Sequence, residues 1–561
     1  MGLGSNDAGD DPRPLAPSLS PFDTASLAIL DRVNYAVSLL EAQSSQPTPQ
    51  PAVVPQTPVD ESAHEVELLE QSVAAATSAA HLLDWPIFEH KHGREALDAA
   101  VLSHSAGIPA DYPGAGTDLD EPAEMSDIQS AQRSSKPGRG IHEEDVPALV
   151  QAFLENVHIK NPVLDSTDLK RWARAVREHG FGWSSRSCLL LVACALGALS
   201  SPFKPTLVLT SVSSTTSDSI QEAKDYTTAE RYYNASRKRI GLLGNSLIAA
   251  QCMFLSGVYE MYSLRPLQAW TSFSRAGDII QIYRMVKPDP TTPKFPSVIS
   301  LEHRLYWSCL KSISEIREQL PLPPSGLASL DYPLFPTLPI TACETDSVGC
   351  PADSIFEKSW FYYLAEISSR RIANRILNAF YKTGQTAWLS SKLDGMVRIA
   401  HELETQVDQW FQHIPEPLKW HEMEIPPEEL AFMVRAREVH MYMFIYRPFL
   451  FIAVHRPEAL HDPRVQLLAE KGLRGCVQLS STATNKHRHH GTYFAGRSLF
   501  SAALSILAAV KCGKVSLPPG WRDSLQSILA FLKYWETEAP DLGRARAIIQ
   551  EIWKEVSDMF A

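Results

Sequence analysis

Apolar positions along this 561-residue chain recur three and four residues apart over most of its length, the period of a helix that buries one face. The pattern first appears at residues 24–43, where Leu27, Leu30, Val33, Val37 and Leu40 form one stripe. A second amphipathic stretch covers 65–88 and ends in Leu82-Leu83-Asp84-Trp85-Pro86-Ile87-Phe88, where Pro86 is expected to stop it. From 143 onward the stripes follow one another closely. They predict helices at 143–157, 169–179, 183–199, 230–240, 245–263, 266–285 and 301–320. After a Pro-rich interval at 321–354 they resume at 355–382, 386–413, 427–453, 463–483, 491–512, 519–536 and 541–560.

Two of these segments decide the class. Residues 188–199 are apolar without interruption, too short for the roughly 20 residues that span a bilayer, so they predict a buried central helix. Residues 245–263 are apolar around most of the circumference, again the mark of a central helix. In 301–320, Leu305, Cys309, Ile313, Ile316 and Leu320 are expected to point inward. No alternating strand pattern is sustained and no fixed-length repeat is visible. The prediction is an all-α, large multi-helix bundle rather than a solenoid.

Charge and composition divide the chain. Residues 1–140 hold 21 acidic against 7 basic residues, while the remainder holds 43 against 45. The formal net charge of -12 therefore sits in the N-terminal quarter. Residues 1–64 are expected to be mostly disordered apart from the helix at 24–43, because segments such as 46–58 are rich in Pro, Gln and Thr. Residues 65–141 are read as a helical opening segment followed by a linker, and 142–561 as the all-helical body. No basic field of the kind that grips nucleic acid is present. The N-terminus lacks a basic region followed by an apolar run, so no secretory signal is expected.

The search for chemistry returns mainly exclusions. No G-x-S-x-G elbow, phosphate-binding loop, H-E-x-x-H or G-x-G-x-x-G occurs. The eight cysteines (Cys188, Cys194, Cys252, Cys309, Cys343, Cys350, Cys476 and Cys512) form no C-x-x-C pair and read as free thiols in a reducing compartment. Asp7-Ala8-Gly9-Asp10-Asp11 reads as a solvated acidic tail. His487-Arg488-His489-His490 has metal-ligand residue types, but Lys486 and Arg488 would repel a cation. It is expected to be a polar loop whose histidines bond to the backbone or cap the helix starting near Gly491. Glu402 and Glu404, like Glu422 and Glu424, point to different faces at i, i+2, and the first pair reads as solvated surface. Tyr446-Arg447-Pro448-Phe449, with Arg456-Pro457 beyond it, has the composition of a nucleic-acid stacking patch but reads better as a helix end. No enzyme is expected, and no catalytic, cofactor-binding or metal-ligating residue is assigned.

Several segments together resemble the regulatory middle homology region of fungal zinc-cluster transcription factors. They include His81 through Phe88, Asn161-Pro162-Val163-Leu164-Asp165, Gly182-Trp183-Ser184 and Tyr232-Tyr233. The most telling run is Ser246-Leu247-Ile248-Ala249-Ala250-Gln251-Cys252, continuing to Tyr259-Glu260-Met261-Tyr262, Arg265-Pro266 and Ala269-Trp270. His303 through Cys309, Glu318 to Gly326 and Tyr446-Arg447-Pro448 complete a resemblance covering most of 80–512. Read as structure alone, Trp183, Trp270 and Trp307 are core anchors, and Glu302, Arg304, Glu315, Arg317 and Glu318 are surface helix charges. The resemblance implies a nuclear regulator of RNA polymerase II transcription. Its partners would be proteins: the transcription machinery, a zinc-cluster factor or a second copy of the chain. A small-molecule effector could sit between the helices, and no membrane is involved. The family's six-cysteine zinc cluster is missing from this sequence, so the resemblance implies DNA contact only indirectly or through an N-terminal module not in the chain. A DNA-independent co-regulator that binds other zinc-cluster factors, or a helical enzyme, are the alternative readings.

Overall fold

The computed structural model describes residues 77–106, 141–204, 219, 225–285, 296–329, 351–420 and 426–560. All of them belong to one unit, Pro49–Ala561. A separate unit, Met1–Thr48, falls outside the described residues, and with it the helix expected at 24–43. The linker at 107–140, residues 65–76 and most of the Pro-rich interval at 321–354 also lie outside them.

Among the described residues there are helices and no strands, as the apolar spacing predicts. The first group is α1 (Arg94–Ala106), α2 (Val146–Asn156), α3 (Ser166–His179), α4 (Ser185–Leu199), α5 (Tyr226–Ile240), α6 (Leu247–Tyr262), α7 (Pro266–Met285) and α8 (Pro296–Gln319). The second is α9 (Pro351–Tyr381), α10 (Gln385–Ser390), α11 (Leu393–His413), α12 (Glu429–His455), α13 (Pro463–Ser480), α14 (Thr492–Cys512), α15 (Trp521–Trp535) and α16 (Pro540–Phe560). Side-chain caps set several starts. Asp165 accepts the N–H groups of Thr167 and Asp168, Ser184 that of Ser187, and Ser246 that of Ala249. Gly513, at φ +66°, ends α14 in the left-handed conformation that favours glycine.

Helices α2, α4, α5, α6 and α7 pack on one another, and α9 and α11 to α16 form the other part; α8 touches both. Helix α4 is buried from Ser187 to Leu199 and α6 from Ala249 to Tyr262, so both are central, as expected. Helix α14 is long and apolar enough to cross a membrane, and 89% of its apolar window is buried inside the body.

The structure departs from expectation in several places. The described part of 65–88 is not an α-helix but two 3-10 turns, Ala79–Asp84 and Pro86–Phe88, which bury Trp85 against Phe451. Helix α1 follows unannounced, because its pattern is short and weak. The helix expected over 386–413 breaks at Ser391 and Lys392 into α10 and α11. Tyr446-Arg447-Pro448 is no helix end: it lies inside α12. Pro448 has no N–H, which deprives the Phe444 carbonyl of its helical partner. The Tyr381 hydroxyl donates to that carbonyl at 3.0 Å and lets the helix run on. Trp183 is no core anchor; it is 65% exposed and lies under the Arg239 guanidinium.

Candidate functional site

The residues expected to be surface charges on α8 are buried. Glu302, Arg304, Glu315, Arg317 and Glu318 are all nearly inaccessible. A helix enclosed on every side has no solvated face, so its charges need partners from other helices. For Glu315 and Glu318 they come from α9 and α12, while Arg304 donates to the Pro162 carbonyl and Arg317 to the Leu322 carbonyl. Arg437 bonds Glu366 through two nitrogens, each at 2.9 Å, and Glu315 at 2.6 Å. Lys311 reaches Glu366 at 2.8 Å. Arg370 pairs with Glu318 at 2.7 Å. Three cations thus meet three carboxylates.

The electrostatics follow from that matching. Burial alone would push the Glu366 carboxyl upward, but Arg437 and Lys311 outweigh it and hold the group far below the usual carboxylate range. Glu318 is lowered against the same burial by Arg370 and His440. His440 itself is pulled to about 4, chiefly by burial, and stays neutral at 3.4 Å from Glu318.

A second ion cluster joins α12 to the loop before α14. Lys160 and His487 both bond Glu429, the His487 Nε2 at 3.0 Å. The next residues of that loop, grouped in the sequence as a histidine cluster, diverge. Arg488 is buried and donates to Glu538 and to the Tyr262 carbonyl, each at 2.8 Å. His489 accepts the Gly491 N–H on Nδ1 at 3.0 Å, and burial, then His487, pull its pKa to about 3. His490 is buried, and both its ring nitrogens lack a partner. Of the three histidines expected to bond to backbone, only His489 does; His487 turns to Glu429, and the loop sits inside the body. Among the described residues no group of three or more His, Cys, Asp or Glu side chains could hold a metal ion.

Beside these charges runs a narrow cleft with about 80 Å³ of free space. Phe432, Met433, Ala436, Leu479, Phe494 and Phe531 make apolar walls, from α12, α13, α14 and α15. Arg437, His440, Asn485, His487 and His489 supply the polar groups. Mostly apolar walls with a few convergent polar atoms are the usual makeup of a small-molecule site. A wider groove of about 550 Å³, between the end of α14, α15 and α16, offers little beyond Arg522 and Ser557 to orient a ligand.

The remaining sequence candidates are placed as follows. Glu404 is not solvated; it is buried and accepts from Tyr446 at 2.5 Å and Lys471 at 2.7 Å. Glu422 and Glu424 lie outside the described residues. Arg447 is buried and donates to the Thr77 carbonyl at 3.2 Å, which leaves it closed to nucleic acid. Arg456 donates to the Leu389 carbonyl at 2.7 Å. Sequence reasoning missed Arg437, Glu366, His440 and Asn485. For Glu366 a signal was present: it is the one charge in Trp360-Phe361-Tyr362-Tyr363-Leu364-Ala365-Glu366-Ile367, and a lone ion in an apolar helical run has to be paired.

No family model, curated protein or solved structure matches the chain.

Proposed function

We propose that residues 142–561 are the regulatory body of a transcription regulator of the fungal zinc-cluster type, working in the nucleus on RNA polymerase II genes through protein partners and a small effector. The observation that carries this reading is the cleft between α12 and α14, an apolar-walled cleft in a helical body whose nearest ions are already paired. Ions tied in this way serve as a rigid frame for the cleft rather than as acid–base reagents, which supports a binding role over an enzymatic one. The segments that resemble the family add support: the Ser246 cap and α6 are central to the body, and Trp307 is buried on α8. Direct contact with DNA is not part of the proposal.

The test is to fuse the full chain to an unrelated DNA-binding module and measure transcription of a reporter carrying that module's site. A change of at least about threefold over the module alone is expected. A folded, nuclear fusion that leaves the reporter at the level of the module alone would overturn the reading.

A further inference from the structure

We infer that the cleft beside α12 takes an uncharged, flat, apolar molecule carrying a carbonyl-type oxygen, held by Asn485 and His489. This rests on the effector reading above and gives that effector a chemical class.

The Asn485 side chain is 92% shielded from solvent, being 8% exposed. Its Oδ1 accepts the His487 N–H at 3.0 Å, which fixes the amide's orientation, since the reversed amide would set two donors against each other. The Nδ2 group is then a buried donor with no partner, on the wall of the cleft. Such a group is costly to leave unmet, and an acceptor in the cleft would satisfy it. His489 offers a second donor. Its Nδ1 accepts from Gly491, so the neutral ring carries its proton on Nε2. Two donors without partners on one wall call for a ligand oxygen.

The charges exclude an ionic ligand. Arg437 is the only permanently charged cation on the cleft wall, and Glu315 and Glu366 already hold it at 2.6 and 2.9 Å. A carboxylate ligand would have to compete with both. An ammonium ligand would meet donors and a guanidinium, with no carboxylate on the wall to receive it. The aromatic rings of Phe432, Phe494 and Phe531 suit a flat apolar body.

The probe is prodan, a neutral naphthyl ketone whose fluorescence reports both apolar surroundings and a hydrogen bond to its carbonyl. Titrated into the full chain, it should bind saturably, and at least about tenfold tighter than the anionic dye anilinonaphthalene sulfonate. Asn485→Leu should weaken prodan about tenfold, the scale of one buried hydrogen bond, and shift its emission to the blue. Ala436→Trp, which fills the cleft from α12, should abolish saturable binding. Circular dichroism and melting curves select variants that fold as the parent does. Absence of saturable prodan binding, equal or tighter binding of the sulfonate, or prodan binding untouched by both substitutions would overturn the inference. The reporter separates the two ideas: an active fusion whose chain ignores prodan removes only the ligand class, while prodan binding by a chain inert in the reporter removes the regulator and keeps the site.

Discussion

Helix α4 on one side and α8, α9 and α12 on the other are both largely buried, yet they are held by different means. In α4 every residue from Ser187 to Leu199 is shielded and none carries a charge, so hydrophobic burial and close fit bind it to α2, α5 and α6. Between α8, α9 and α12 the shielded residues include Lys311, Glu315, Glu318, Glu366 and Arg370, held in matched pairs. An apolar contact that opens loses only the area it no longer buries. A buried ion does not tolerate loss of its partner, because its desolvation is then uncompensated. The cleft lies on the charged side.

Acid should expose the contrast most strongly. A histidine in the unfolded chain titrates near 6.5, whereas His440 and His489 in the fold titrate at about 4 and about 3. Between those values the unfolded chain takes up protons that the fold refuses, so stability falls as pH falls. Glu366 and Glu429 act in the same direction at lower pH: their folded pKa values are depressed from 4.5, and their stabilisation is lost once the unfolded carboxyls begin to protonate. Urea unfolding at pH about 7 and about 4 should differ by on the order of 5 kcal/mol. His440→Phe should remove part of that slope. A stability that is flat over this range would mean that the charged side is not the pH-sensitive one.

The next largest effect should come from breaking the ion set. Glu366→Leu leaves Lys311 with only the longer 3.9 Å pairing to Glu315 and removes half of Arg437's bonding, at a cost of about 4 kcal/mol in urea unfolding. Lys311→Met added to it removes the under-paired cation and leaves Arg437 facing Glu315. The double variant should then recover about half of the loss. If the double is as unstable as the single, the contact is held by shape, and the two sides of the molecule are alike.

That difference also marks what could be read from the chain beforehand. The inward stripe of α8, Leu305, Cys309, Ile313, Ile316 and Leu320, is buried as the spacing predicts. Glu315, Arg317 and Glu318 between those positions are buried too, against expectation. Periodicity reports one helix at a time and assigns every charge to water. The partner of Glu315 is 122 residues away on another helix, which no local pattern can announce. The cleft was invisible for the same reason: its walls come from four helices and its key donor, Asn485, from a loop. Trp183 fails in the opposite way. Its size suggested a core anchor, but it precedes the Ser184 cap, outside the helix, and stacks on Arg239 at the surface.

On the apolar side the limit should be geometric, and one residue tests it. Gly197 on α4 faces the backbone of α2, and a Cβ there would lie 2.0 Å from the Leu149 carbonyl oxygen. Backbone cannot swing aside as a side chain can, so Gly197→Ala must push the two helices apart. The helical preference of alanine over glycine returns about 1 kcal/mol, and the clash should exceed it, for a net loss of about 2 kcal/mol. Gly395 on α11 is the control, since nothing lies within 4 Å of its would-be Cβ. Gly395→Ala should therefore gain about 0.5 kcal/mol from the same chemical change. Urea midpoints that move in opposite directions would show that fit, with no ion involved, governs the α2–α4 contact. Midpoints that move together would mean that α4 yields as easily as the surface, and that its burial alone does not make it rigid.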